Sequence, residues 1–191
     1  MKPHFACVSF LLLAVAVTTP AVRAGDDVIE FYTDASMMSC ELADQAPALV
    51  QVHVFHAGTL PTAVVSFGAR PPACWVGATW LGDIVAPGFT PGGNSTQGAD
   101  GLYIFYPECL MPPTYLGYMN FAVAGSGQSC CLYAASDPPL HPMFVADCTG
   151  FPERYPTARP IVINPDASCS CVSPVAVEET SWGKVKALYG D

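Results

Sequence analysis

The chain has 191 residues, 51% of them apolar and only 12% charged, with a formal net charge of −9. That length fits one domain, and the apolar content excludes disorder of the whole chain. Seven Lys+Arg against 16 Asp+Glu exclude the basic footprint of a nucleic-acid binder.

In chain order, the first element is an export signal. Lys2 precedes an apolar run at residues 6–17 (ACVSFLLLAVAV), a break at Thr18-Thr19-Pro20, and Val22-Arg23-Ala24. This is the n-region, h-region and small-residue cleavage site of a signal peptide. Cleavage is expected near Ala24. No later run is long and uniform enough for a membrane span. Loss of Lys2 and Arg23 leaves five cations against 16 acids, so the mature chain carries −11.

Short, alternating apolar runs follow, separated by Gly and Pro. The expected strands are 28–32, 49–56, 63–68, 75–81, 102–106, 115–124, 131–135, 143–148 and 160–164. In the second, Val50, Val52 and Val54 share a face opposite Gln51 and His53. Pro72, Pro87-Gly88, Pro91-Gly92-Gly93, Pro112-Pro113 and Pro138-Pro139 mark loops. Helical spacing occurs only in the tail, where Trp182, Val185, Lys186 and Tyr189 follow the acidic start Glu178-Glu179. About nine short strands with turn signals between them predict an all-β, immunoglobulin-like antiparallel β-sandwich with a short C-terminal helix. A jelly roll or small barrel is the alternative. The expected division is 1–24 signal peptide, 25–172 disulfide-linked sandwich and 173–191 tail.

Cys7 leaves with the signal. Cys40, Cys74, Cys109, Cys130, Cys131, Cys148, Cys169 and Cys171 remain, an even number that predicts four bridges in an oxidising compartment. Neighbours Cys130 and Cys131 point to opposite strand faces and are expected to take different partners, a vicinal disulfide ring being the rarer alternative. Cys169 and Cys171 share a face and also need two partners. A zinc site from these four with a histidine is the competing reading, but zinc-finger C-x-x-C spacing is missing. No metal or other cofactor is expected.

No catalytic motif emerges. His53-x-x-His56 places its rings on opposite faces of one strand, one exposed and one at the strand end, so they cannot chelate one ion. His141 reads as a solvated loop residue. Gly125-Ser126-Gly127 reads as a hairpin turn rather than a nucleophile elbow. Asp26-Asp27 reads as a frayed terminus, and Asp83, Asp100, Asp137 and Asp166 as turn residues. Trp75 and Trp80 fall on opposite faces of one strand, with at least one in the core. Tyr103, Phe105 and Tyr118 are placed on one outer face, packed under a loop. Asn94-Ser95-Thr96 is a glycosylation sequon.

The stretches APALVQVHVFHAG, GLYIFYPEC, VADC, INPDASCSC and VEETSWGKVKALY, in this order, resemble a group of uncharacterised exported bacterial β-sandwich proteins that end in an EETSWGxxKALY-type segment. The resemblance implies a secreted sandwich with a conventional terminal segment and carries no catalytic residue. Cys74 and the doubled Cys130-Cys131 depart from that group, which implies that Cys74 pairs with one of the two. The ending Gly190-Asp191 replaces a basic one.

The expected function is a secreted or cell-surface, non-enzymatic binding or structural module, extracellular or periplasmic. Its partner is a protein or a glycan, with no nucleic acid. The tail residues Trp182, Val185, Lys186 and Tyr189 are candidates for docking on a partner. The alternative is a small secreted hydrolase of glycoside type that uses two carboxylates.

Overall fold

A computed structural model describes residues 27–45, 47–149 and 153–171. Val28–Tyr32 forms β1, whose Ile29 and Phe31 share one fully buried face while Glu30 and Tyr32 lie on the other, buried as well. Then come β2 (Glu41–Leu42), β3 (Ala48–Ala57), β4 (Thr62–Phe67), β5 (Thr79–Val85), β6 (Thr90–Gly93), β7 (Leu102–Leu110) and β8 (Thr114–Val123). The last elements are β9 (Cys131–Tyr133), β10 (Phe144–Asp147), β11 (Glu153–Arg154), β12 (Thr157–Arg159) and β13 (Ile161–Ile163).

These strands make two five-stranded sheets, ordered β12-β1-β3-β8-β5 and β11-β10-β4-β7-β6, and a small sheet β2-β13-β9. The architecture is the expected all-β sandwich. Five of the twelve connections between consecutive strands pass directly from one large sheet to the other. Two pairings depart from the antiparallel expectation: β1 with β12, and β2 with β13, run parallel. Both join strands far apart in sequence, where no hairpin dictates direction.

The core lies between the inner faces. Ile29, Phe31, Val52, Leu116, Met119 and Phe121 of the first sheet meet Val65, Phe67, Ile104 and Val145 of the second. Phe31 and Phe67 touch edge to face at 6.4 Å. The small sheet closes the core through Tyr133, whose ring packs on Phe31, Trp75 and Phe121. Its hydroxyl donates to the Ala69 carbonyl at 2.6 Å. Burial pushes the Tyr133 phenol well above its ordinary range. In β8, Gly117 has φ +131°, and a Cβ there would sit 2.1 Å from the Ile84 carbonyl oxygen. Only glycine lets β5 approach so closely there.

Four bridges join Cys40 to Cys171, Cys74 to Cys131, Cys109 to Cys148 and Cys130 to Cys169. Cys130 and Cys131 take different partners, as do Cys169 and Cys171. Four bonded pairs are the chemistry of an oxidising compartment.

Several local expectations change. Among the described residues thirteen strands stand where about nine were expected. The Thr90–Gly93 strand occupies a stretch marked as loop, because an edge strand needs backbone pairing more than alternation. Trp75 lies before β5 rather than on it, buried in the core, and only Trp80 is on the strand. The 125–127 turn joins β8 to β9, which pairs with β13 and not with β8, so it is no hairpin. Asp83 lies in β5 rather than in a turn. The tail with Trp182, Val185, Lys186 and Tyr189, its helix and the signal peptide lie outside the described residues.

Candidate functional site

Two polar or aromatic constellations emerge, one buried and one on a surface. The buried one begins at Asp27, just ahead of β1. This is not a frayed terminus. Its carboxylate accepts from Arg154 Nε at 2.5 Å and Nη2 at 3.4 Å, and from His56 Nε2 at 3.0 Å. Arg154 also reaches Asp147 at 3.4 Å and the Thr62 hydroxyl at 3.5 Å. His56 Nδ1 lies 3.1 Å from the Tyr106 hydroxyl. All six residues are buried, so His56 is not the strand-end residue expected. The cluster ties β1, β3, β4, β7, β10 and β11 together.

Tyr106, His56 and Asp27 form a hydroxyl–imidazole–carboxylate relay, but its chemistry is structural. Burial and the nearby Asp27 charge raise the Tyr106 phenol far above its ordinary range. No substrate atom reaches a group closed off in this way. Burial alone would raise the Asp27 carboxyl. Hydrogen bonds from His56 and Arg154, with the Arg154 charge, outweigh that and hold it below its ordinary value. Asp27 and Asp147 converge on one guanidinium inside the sandwich, the arrangement of a buried ion-pair cluster.

The depressed Asp27 value carries a pH consequence. A carboxyl with a lower pKa folded than unfolded adds stability above its unfolded pKa. That stability is lost as pH falls through the folded value. Urea midpoints measured from neutral pH downward should therefore fall below about pH 4. An Asp27→Asn protein should show a shallower decline over the same range.

The surface constellation lies on the outer face of the second sheet. Alternation with core residues sends Phe144, Ser66, Tyr103 and Gly92 outward in one cross-strand row. Ala146, Val64, Phe105 and Thr90 form the next. Tyr103 and Phe105 stack with centroids 6.4 Å apart, and Phe144 meets Tyr103 at 5.9 Å. Phe105 is 46% exposed and is not under a loop. Ser66 is fully buried between Phe144 and Tyr103, and its hydroxyl has no hydrogen-bond partner. These two rows on β10, β4, β7 and β6 hold no charged side chain. Glu153 stands at the β11 edge.

His141 braces this face. It is not a freely solvated loop residue: Nε2 lies 2.6 Å from the Tyr103 hydroxyl. Sequence reasoning missed it because the two residues meet across the fold. Tyr118 is not on this face. It lies on the outer side of the first sheet, where its ring is 5.5 Å from His53. That side is polar as well as aromatic. Glu30 pairs with Arg159 at 2.7 Å, Gln51 donates to Asn120, and His53 bonds the Tyr115 hydroxyl. His53 is buried rather than exposed, and burial lowers its pKa.

Several other acids among the described residues cap neighbouring amides and hydroxyls. Asp44 accepts the Gly125 and Gly127 amides. Asp83 accepts from the Trp80 indole and from Ser95. Asp137 caps Met143 and Asp166 caps Ser168. Cys130, Asp166 and Cys169 bring ligand-type atoms within 4.8 Å of one another, but the two sulfurs are bonded to each other. Among the described residues no helix is long and apolar enough to cross a membrane.

No family model matches this sequence, and no curated protein matches it. Solved structures of similar overall architecture are cohesins. The solution structure of CaCohA2 from Clostridium acetobutylicum has a TM-score of 0.49 and 12% identity, over 78% of this chain and 96% of that one. A non-cellulosomal cohesin from the archaeon Archaeoglobus fulgidus has 0.48 and 14%, over 72% and 91%. The seventh ScaB type I cohesin from Pseudobacteroides cellulosolvens has 0.48 and 8%, over 74% and 94%. At these values no residue role passes from them to this chain.

Proposed function

We propose that this is an exported, non-enzymatic binding module that docks a protein partner on the outer face of its second sheet. The observation that carries this reading is the pair of uncharged rows around Tyr103, Phe105 and Phe144, on a chain with net charge −9. Phe105 is exposed among uncharged neighbours, with Tyr103 and Phe144 half-buried beside it, and such an aromatic set supports an interaction site. Aromatic anchors dominate the energy of such faces. A protein fits better than a glycan. Sugar recognition needs several polar groups converging around the rings, and here the Ser66 hydroxyl between them is buried. Export follows from the signal-like segment cut near Ala24 and from the four bridges, in keeping with the resemblance to exported bacterial sandwiches. The tail around Trp182 is a second element for docking or tethering.

The test places a charge in the centre of the face. Phe105→Asp should weaken the partner captured from the extracellular fraction by at least about 30-fold, equivalent to about 2 kcal/mol. Its thermal midpoint should stay near that of the parent, because the ring is half exposed. Undiminished binding by a folded Phe105→Asp protein would remove this face from the account. Turnover of a glycoside panel by the purified protein would favour the hydrolase instead.

A further inference from the structure

His141 is a titratable ring set into the rim of the uncharged face. Its Nδ1 lies 2.8 Å from the Pro142 carbonyl oxygen. Its Nε2 lies 2.9 Å from the Asp100 carbonyl oxygen and 2.6 Å from the Tyr103 hydroxyl. Phe144 packs against the ring at 5.6 Å. The ring is therefore held between the 137–143 loop, the turn entering β7, and β10.

Carbonyl oxygens only accept, and a neutral imidazole has one N–H. With that proton on Nδ1, the ring donates to Pro142 and Nε2 accepts the Tyr103 O–H. The Asp100 carbonyl then faces a lone pair. With both nitrogens protonated, the ring donates to Pro142 and Asp100 together. Nε2 can no longer accept, so the Tyr103 proton has to point elsewhere.

We infer that the proton on His141 sets the polarity of the Tyr103 hydroxyl at the docking face. The neutral ring draws the O–H inward and leaves oxygen lone pairs for a partner N–H. The imidazolium turns the O–H outward, toward a partner carbonyl or carboxylate, and adds a positive charge to the rim. A partner segment carrying an acidic side chain or free carbonyl opposite Tyr103 is thus favoured by the protonated ring. The titratable side chains on the elements around the ring are Tyr103 on β7, Asp100 before it and Asp137 on the same loop. The Asp137 carboxylate already accepts the Met143 amide, and β10 contributes only Phe144 at this point. The inference rests on the docking reading for its consequence, not for its geometry.

The experiment needs no partner. Histidine ring ¹⁵N and tyrosine ¹³Cζ resonances of the full secreted protein are followed from about pH 8 to about pH 5. Where His141 is neutral it should be the Nδ1–H tautomer, and any change in its protonation should be mirrored at Tyr103 Cζ. In Tyr103→Phe, which retains the ring, the neutral tautomer balance should move toward Nε2–H. His53, bonded to Tyr115 instead, should be unaffected by that change. An Nε2–H tautomer at the alkaline end would overturn the inference. So would a Tyr103 signal indifferent to His141, or an unchanged tautomer balance in Tyr103→Phe. Failure here leaves the docking face standing, since that depends on Phe105→Asp.

Discussion

Arg154→Met should cost about 3–5 kcal/mol of folding stability, measured by urea unfolding at neutral pH. The reasoning starts from burial. Arg154 sits on a two-residue strand, yet its guanidinium reaches Asp27, Asp147 and Thr62 inside the sandwich. Methionine fills much of the volume but supplies no charge. Two buried carboxylates then lose their cation, and only His56 still faces Asp27. Removing one partner of a buried pair leaves an uncompensated charge, which is the expensive case. Changing both sides should recover part of the loss. Asp27→Asn with Arg154→Met should be more stable than Arg154→Met alone, because the amide buries no charge. A loss under about 1 kcal/mol in the single variant would show that water reaches the cluster and screens it.

The second large effect belongs to the bridge between Cys40 and Cys171. These residues are 131 positions apart, whereas Cys109–Cys148 spans 39. Cross-linking removes more freedom from the unfolded chain when the loop is longer, about 5 kcal/mol for the first bridge and about 4 for the second. The Cys40 bridge also stands beside the parallel pairing of β2 with β13, where the Val162 amide donates to the Cys40 carbonyl at 2.8 Å. Paired alanine substitution at Cys40 and Cys171 should therefore destabilise more than the same change at Cys109 and Cys148. The reverse order in urea titrations would mean that native-state contacts, not loop closure, set the cost.

How much of this was legible depended on the range of the interactions. The strands with clean alternation, such as Ala48–Ala57 and Thr114–Val123, could be read because period two is a local property. Thr90–Gly93 could not, since its backbone pairs with β7 and its side chains carry no pattern. Cysteine parity and the opposed directions of Cys130 and Cys131 pointed to four bridges, but the pairing itself depends on which strands the topology brings together. Tyr103 and Phe105 were correctly placed on one face by their spacing. Tyr118 was grouped with them in error, because alternation gives a face and not the sheet to which it belongs. The Asp27–Arg154 pair spans 127 positions and has no local signal. One cue was present: in a chain with so few cations, an arginine among short apolar strands is a candidate for an internal ion pair.

The account turns on one surface, and amide hydrogen exchange with and without the captured partner tests it most directly. Binding should slow exchange at residues 64–67 of β4 and 102–106 of β7, and leave residues 50–54 of β3 and 118–121 of β8 unchanged. Slowing confined to β3 and β8 would put the partner on the polar face of the first sheet and contradict the proposed docking site.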